Sequence, residues 1–99
     1  MSYKLEWTFI AENSYFEEIE FIYLKWNEKE VFKFENLVDK ELKRLVKNPT
    51  IGKLKNRKYS LMISKQTTLY YRINNNKKSV ELLLFWNNLK NPEDLKKLL

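Results

Sequence analysis

Residues 80–86 restrict the fold more than any other stretch, because the run VELLLFW is apolar apart from Glu81. Successive side chains of a strand point to opposite faces of a sheet, so such a strand needs cover on both faces. Helices can cover one face. The sequence leaves open whether the chain's own tail or a partner covers the other.

Two further runs, residues 59–63 and 68–73, read as strands and complete a predicted sheet with residues 80–86. The middle run is rich in aromatic and β-branched residues, which favour strands. Residues 64–67 and 74–79 are connections of hairpin length. The three strands are therefore predicted to be antiparallel neighbours in a meander.

Alternation assigns the side chains of the middle strand to two faces. Leu69, Tyr71 and Ile73 fall on one face, and Tyr70 and Arg72 fall on the other. We expect Tyr71 to lie in the core. The sequence does not decide between core and surface for Tyr70.

Two long helices are predicted before this meander. The first covers residues 9–25 with Thr8 as its N-terminal cap. The second follows the capping residue Asn27, with Glu30 expected to reach back to the cap, and ends before Pro49. Because the join between them is short, we expect an antiparallel helical hairpin.

Each helix carries apolar residues at helical spacing, which we expect to face the core. In the first helix these residues are Ala11, Tyr15, Phe16, Ile19, Ile22, Tyr23 and Trp26. In the second they are Val31, Phe34, Leu37, Val38, Leu42, Leu45 and Val46. The carboxylates between them on the first helix are expected to face solvent: Glu12, Glu17, Glu18 and Glu20.

The remaining segments are shorter. Residues 3–7 are predicted to form a first strand, at a sheet edge or beside the other three. Residues 53–58, KLKNRK, are predicted to be a basic loop leading into the sheet. Pro92 is well placed to begin a short terminal helix. Its leucines either fold back onto the domain or remain exposed: Leu95, Leu98 and Leu99.

Length and composition narrow the class of protein. The 99 residues predict a single domain, 1–99. The lack of cysteine and histidine removes disulfides, thiolate nucleophiles, zinc sites and the usual general base. We expect no cofactor and no metal. No apolar run approaches the roughly 20 residues of a membrane span, and no targeting segment is visible, so a cytoplasmic location is predicted.

Charge is divided unevenly along the chain. Residues 1–41 carry ten carboxylates against five Lys and Arg, a formal charge of −5. Residues 42–99 carry fourteen Lys and Arg against three carboxylates, a formal charge of +11. A basic half of this kind favours an anionic partner, either nucleic acid or an acidic protein.

Basic residues and tyrosines around the sheet are therefore the candidate functional groups. The residues assigned to binding a nucleic acid or another target are Lys53, Lys55, Arg57, Lys58 and Lys65. The candidates for catalysis are Arg57, Arg72, Tyr70 and Lys90. Cations can stabilise a phosphorane-like transition state, and tyrosine can stack on a base or donate a proton. For Arg72, a cross-strand ion pair with Glu81 is the alternative.

The order of these segments resembles the RelE/ParE superfamily of bacterial type II toxins. The motifs that resemble it are WTFIAE at 7–12, WNE at 26–28, NPTIG at 48–52, RKYSL at 57–61, LYYRI at 69–73 and NPEDL at 91–95. The resemblance implies an α+β fold. Its parts are an N-terminal strand, a long antiparallel helical hairpin, a three-stranded antiparallel meander and a short C-terminal helix or tail.

The resemblance also implies a growth-inhibiting toxin, of the kind linked to plasmid stabilisation, that a cognate antitoxin neutralises. Antitoxins of this kind cover the sheet or helical surface of their toxin. The residues assigned to antitoxin binding on this basis are Leu83, Phe85, Trp86 and Leu95. A homodimer and a toxin–antitoxin heterotetramer are both compatible with the sequence.

Two activities occur in the superfamily: RelE-like members cleave mRNA on the ribosome, and ParE-like members inhibit DNA gyrase. The positions where the ribonucleases carry basic residues hold Ser60, Met62, Thr68 and Leu89 here. The sequence therefore favours gyrase inhibition. Ribosome-dependent mRNA cleavage and a non-toxic binding module are the alternatives.

Overall fold

The computed structural model describes residues 2–99 and has the predicted α+β architecture. Its elements in chain order are β1 Lys4–Trp7, α1 Phe9–Lys25, α2 Glu28–Lys47, β2 Lys53–Lys55, β3 Lys58–Met62, β4 Thr67–Asn74, β5 Ser79–Asn87 and α3 Pro92–Leu98. A 3-10 turn, Pro49–Ile51, joins α2 to β2. No helix within this part of the chain is long and apolar enough to cross a membrane.

The five strands form one sheet in the order β1-β5-β4-β3-β2. The pairs β2–β3, β3–β4 and β4–β5 are all antiparallel, as the predicted meander requires. Strand β1 runs parallel to β5, with Leu5 opposite Val80. The first strand therefore lies both at a sheet edge and beside the meander, as predicted.

Strand β2 corrects the prediction of a basic loop at residues 53–58. Lys53 lies opposite Ser60, and Lys55 lies opposite Lys58. Asn56 and Arg57 form the two-residue turn between these strands, with φ angles of 53° and 67°. A tight hairpin turn needs positive φ at both positions, which Asn tolerates and Arg disfavours. Because Arg rather than Gly follows Asn56, the sequence lacks the Asn-Gly pair that marks a tight hairpin turn. The meander has four strands, where three were predicted.

Both long helices begin at the predicted caps. The Thr8 hydroxyl accepts a hydrogen bond from the Ala11 backbone N–H at 3.1 Å, and Asn27 Oδ1 accepts one from the Glu30 N–H at 3.0 Å. The predicted reciprocal contact, in which the Glu30 side chain reaches back to the cap residue Asn27, is wrong. The Glu30 carboxylate instead pairs with Lys33 Nζ at 3.3 Å, one turn further along α2.

The core lies between the α1–α2 hairpin and one face of the sheet. Leu69 and Tyr71 point into it and are fully buried, as predicted. From the helices it is filled by Ala11, Ile22, Val31, Phe34, Val38, Leu42 and Leu45.

Part of the predicted core stripe of α1 is exposed. The side chains of Phe16, Tyr23 and Trp26 are 57%, 56% and 48% exposed, and Leu37 of α2 is 38% exposed. Helix α1 contacts the sheet through a narrower stripe at helical spacing, Ala11, Ser14, Glu18 and Ile22. The apolar surface of α1 is therefore wider than the surface that the sheet covers, and Glu18 is buried rather than solvated.

A β-bulge in β5 determines which of its apolar side chains face the core and which face the other side of the sheet. Tyr70 lies opposite Leu84 and Tyr71 lies opposite Leu82, so Leu83 is left over in the register. The extra residue brings both Leu82 and Phe85 into the core. Leu84 and Trp86 then point to the other side of the sheet, which we call the open face.

The chain's own tail covers part of the open face, which answers the question left by the sequence. Leu98 of α3 lines a cavity of about 240 Å³ together with Leu84 and Trp86. The Lys58 ammonium donates a hydrogen bond to the Leu99 carbonyl oxygen at 2.9 Å. Leu84 and Trp86 are consequently only 3% and 5% exposed.

Candidate functional site

The strand register orders the side chains of the open face into rows. In one row, Lys53 lies opposite Ser60, which lies opposite Tyr70, which lies opposite Leu84. In the next row, Met62 lies opposite Thr68, which lies opposite Trp86. A third row begins with Lys55 opposite Lys58 and ends with Arg72 opposite Glu81. Candidate residues that are distant in sequence are thereby brought onto one surface.

The basic residues gather at one end of this surface. Arg72 Nε donates to Glu81 Oε1 at 2.8 Å, which is the cross-strand ion pair given above as the alternative to a catalytic role. Lys58 is engaged with the tail. Lys53 and Lys55 on β2 and Arg57 in the turn are exposed. These three cations are therefore exposed together at the outer edge of the sheet.

The centre of the open face is neutral. It is formed by Ser60, Met62, Thr68 and Tyr70, with Met62 65% exposed. Burial raises the pKa of the half-buried Tyr70 phenol above its usual value. Tyr70 is therefore protonated at neutral pH, where it can donate a hydrogen bond but cannot act as a phenolate base.

Two predicted residues lie away from this basic end. Lys65 is in the β3–β4 connection and lines a cleft of about 490 Å³ beside Phe34 and Leu37 of α2. Lys90 follows β5, with its Nζ 3.8 Å from a Glu17 carboxylate oxygen and 5.5 Å from the centre of the Trp86 ring. The structure therefore divides the candidate cations among three places.

The residues assigned to antitoxin binding differ in exposure. The position of Phe85 does not fit that assignment. Its side chain is 2% exposed, and the centre of its ring lies 5.5 Å from that of Trp7 and 5.2 Å from that of Tyr15. The β-bulge turns it into the core, away from any partner. Trp86 lies on the open face but is buried beneath Lys90, while Leu83 and Leu95 are half-buried.

A buried polar cluster escaped the sequence analysis. Glu18, Thr67 and Asn87 are 3%, 0% and 2% exposed, and the Thr67 hydroxyl donates to the Glu18 carboxylate. Burial raises the pKa of Glu18, although hydrogen bonds from Thr67 and Asn87 and the charge of Lys90 oppose the rise. A polar Asn87 directly after the apolar run LLLFW was the available signal.

These groups favour binding over catalysis. Exposed cations beside a neutral, partly apolar centre can hold an anionic surface. Within residues 2–99, no three His, Cys, Asp or Glu side chains converge as a metal site would require. The expected absence of a metal and of a cofactor stays a prediction.

Comparison with known proteins identifies the fold. No protein-family model matches the chain, and no curated protein matches it significantly. A chain of the ParDE toxin–antitoxin system of P. aeruginosa aligns over 87% of this chain and 96% of its own, with a TM-score of 0.70 and 15% identity. A mutant of the E. coli toxin RelE in the free state aligns over 100% of both chains, with a TM-score of 0.63 and 18% identity.

A chain of the RelBE2 toxin–antitoxin complex of Mycobacterium tuberculosis aligns over 89% of this chain and 100% of its own, with a TM-score of 0.62 and 18% identity. These neighbours confirm the predicted fold, which is that of the RelE/ParE toxins. At such identities the similarity concerns the fold.

Proposed function

We propose that this protein is the toxin of a type II toxin–antitoxin system and that it inhibits DNA gyrase by binding to it. The fold supports the first part. The neutral centre of the open face supports inhibition by binding, because binding does not require catalytic groups there.

Metal-free cleavage of RNA needs cations close to the reacting phosphate and a group that accepts a proton. At the centre of the open face the polar groups are Ser60, Thr68 and a protonated Tyr70. Arg72 is held by Glu81, and Lys90 lies near Glu17. This arrangement of side chains favours binding of a target over cleavage of RNA.

The exposed cations define where the target would bind. Lys53, Lys55 and Arg57 lie together on the β2–β3 hairpin at the outer edge of the sheet. Charges in such a position attract an acidic surface or nucleic acid over about 10 Å at moderate salt. We assign this hairpin to the contact with gyrase or its DNA.

The antitoxin belongs to the same proposal. A cognate antitoxin would cover the open face near Leu83 and Leu95, the two half-buried residues of the predicted set. A heterotetramer or a homodimer of the single domain is compatible with this arrangement. Gyrase acts in the cytoplasm, in keeping with the predicted location.

A supercoiling assay with purified gyrase tests the proposal. We expect supercoiling to fall as protein is added, and Lys53→Glu with Lys55→Glu to raise the half-inhibitory concentration about tenfold by removing attraction. The charge-matched control is Lys29→Glu with Lys40→Glu, on the exposed surface of α2. Unchanged supercoiling at saturating protein would count decisively against gyrase as the target.

Ribosome-dependent mRNA cleavage is the second candidate, favoured by Lys53 in the same row as Tyr70 and by Lys58 in the adjacent row. It predicts codon-linked cuts in mRNA when the protein is added to a translating extract. If no cuts appear, this candidate is excluded. A non-toxic binding module would change neither supercoiling nor mRNA.

A further inference from the structure

A cleft lies between the α1–α2 hairpin and the β3–β4 connection. Its volume is about 490 Å³, within the roughly 300–1,000 Å³ that small-molecule sites occupy. Its apolar walls are formed by Ile22, Trp26, Phe34 and Leu37. Trp26 and Leu37 are 48% and 38% exposed, so a ligand could cover apolar surface that the protein itself leaves open. The cleft therefore has the size and the apolar character of a small-molecule site.

The β3–β4 connection adds two hydrogen-bond donors to the lining of this cleft. Gln66 Nε2 is buried and has no hydrogen-bond partner within residues 2–99. The Ser64 hydroxyl accepts hydrogen bonds from the N–H groups of Gln66 and Thr67 at 3.2 Å each, which leaves its own proton to be donated. A buried donor without a partner lowers stability, and an acceptor on a ligand would satisfy it.

The charge of the cleft favours an anion with one negative charge. The carboxylate of the lining, Glu30, is paired with Lys33, whose Nζ lies 3.3 Å from Glu30 Oε1. Lys65 is exposed and makes no ion pair within the described part of the chain. One unpaired cation matches the single charge of a carboxylate better than the nearly two charges of a phosphate monoester at neutral pH.

We propose that this cleft binds a small aromatic carboxylate. The ring of the ligand would lie against Trp26 and Phe34, since stacked and edge-to-face aromatic pairs are favourable. The carboxylate would accept hydrogen bonds from Gln66 Nε2 and the Ser64 hydroxyl, beside the Lys65 ammonium. Such a ligand satisfies the unpartnered donor and covers the exposed apolar walls at the same time.

Hydrogen bonds to Asn88 hold the β3–β4 connection in place. The Asn88 backbone N–H donates to the Gln66 carbonyl oxygen at 2.7 Å, and Asn88 Nδ2 donates to the Lys65 carbonyl oxygen at 3.1 Å. Anchoring of this kind reduces the conformational entropy that is lost when a ligand binds. It also fits the general observation that small-molecule sites are largely pre-formed.

The cleft is separate from the surfaces used in the proposed function. Its lining residues lie on α1, α2 and the β3–β4 connection, away from the β2–β3 hairpin and from the rows of the open face. Lys65 is the predicted binding residue that lies in this cleft, whereas Lys53 and Lys55 lie on the hairpin. The inference therefore stands independently of the gyrase assignment.

Titration of the whole nitrogen-15-labelled protein with 2-naphthylacetate, followed by NMR, tests the inference. Gln66 is the only glutamine of the chain, so its side-chain amide is a reporter inside the cleft. We expect its N–H signals to shift saturably, with a dissociation constant of about 1 mM for a ligand of this size. Neutral 2-naphthylacetamide, which carries the same rings, should bind about tenfold more weakly, because it lacks the charge.

Lys65→Met removes the cation and Trp26→Ala removes an apolar wall, and each should weaken binding of 2-naphthylacetate about threefold or more. The matched controls are Lys77→Met in the β4–β5 connection and Leu24→Ala on α1, both at exposed positions outside the cleft. They should keep the wild-type affinity, and the backbone spectrum of each variant reports whether it is folded.

Three results would overturn the inference. The first is a Gln66 amide signal that stays unchanged, whether or not signals elsewhere shift. The second is equal affinity for 2-naphthylacetate and its neutral amide. The third is a loss of affinity in the two controls that equals the loss in Lys65→Met and Trp26→Ala.

Discussion

At the scale of single residues, Tyr71 shows how one hydroxyl joins the turn after α2 to the sheet. It donates a hydrogen bond to the Pro49 carbonyl oxygen at 2.8 Å and accepts one from the Gly52 N–H at 2.9 Å. A Cβ atom at Gly52 would lie 2.6 Å from this hydroxyl. The only glycine of the chain therefore allows a close approach.

Replacing Tyr71 with Phe should lower the unfolding free energy by about 1–3 kcal/mol, because two backbone groups lose their partner. Urea denaturation followed by circular dichroism measures this. Tyr70→Phe is the matched control, since it removes a hydroxyl from a half-buried tyrosine on the open face. Equal losses in the two variants would contradict the assigned role of the Tyr71 hydroxyl.

Glu18 makes stability depend on pH. Burial raises its folded-state pKa, so the folded protein holds this proton to higher pH than the unfolded chain does. Stability from this group is therefore greatest below the unfolded pKa of about 4.3 and falls as pH rises through the raised folded value.

Glu18→Gln removes the cost of burying that charge while retaining an oxygen that accepts from Thr67. We expect the variant to unfold at higher urea concentration than the wild type at pH 7, and the difference to shrink toward pH 4. Glu20→Gln, at an exposed position of the same helix, should show neither effect. A less stable Glu18→Gln variant at pH 7 would show that the charged carboxylate is favoured by its surroundings.

At the scale of elements, the β2–β3 hairpin combines backbone strain with a functional charge. Arg57 adopts a left-handed φ of 67°, which costs a residue with a Cβ atom about 1 kcal/mol. Arg57→Gly relieves the strain, and greater freedom of the unfolded chain offsets part of the gain.

We therefore expect Arg57→Gly to raise the unfolding free energy by about 0.5 kcal/mol while weakening gyrase inhibition, because a cation of the proposed contact is lost. Thermal unfolding and the supercoiling assay are measured on the same preparation. Asn56→Gly is the control, since it keeps the cation in the same turn. Parallel loss of stability and inhibition would show that Arg57 has a structural role.

Elements whose signals are local could be predicted from the sequence. Helices α1 and α2 match their predicted ends because Thr8 and Asn27 are caps that act within one turn. Strand β2 could not be predicted, because Arg57 takes a conformation that its residue type disfavours. The exposure of Phe16 and Tyr23 was missed as well, since helical spacing reveals an apolar face but not how much of it a sheet covers.

The arrangement of the candidate site could not be predicted from the sequence, because strand pairing brings together residues that are distant along the chain. The grouping of Lys53 and Lys55 beside the Ser60–Tyr70 row follows from the register of three strands. The burial of Phe85 follows from the β-bulge at Leu83. Neither has a local signal, because alternation alone places Leu82 and Phe85 on opposite faces.

At the scale of the whole molecule, the sheet separates two surfaces of opposite charge. The basic hairpin lies at the outer edge of the sheet, and the groove between α1 and α2 is lined by Glu20 and Glu28 among apolar and aromatic residues. The formal charges of −5 and +11 for residues 1–41 and 42–99 reflect this division. Interactions at each surface should therefore respond to salt.

Gyrase inhibition should weaken as salt rises from about 50 to 200 mM, because exposed charges are screened. The Lys53→Glu, Lys55→Glu variant should show a smaller salt response than the wild type, since fewer attractive charges remain. Half-inhibitory concentrations across a salt series measure this. The same slope for both proteins would place the electrostatic contact elsewhere.

The most direct test of toxicity through gyrase is tightly controlled expression of the protein alone in bacteria, with growth and a DNA-damage reporter measured together. A toxin that inhibits gyrase should arrest growth and switch the reporter on, and co-expression of the antitoxin should reverse both effects. Arrest with translation stopped and the reporter silent would contradict gyrase as the target. Normal growth would contradict toxicity itself.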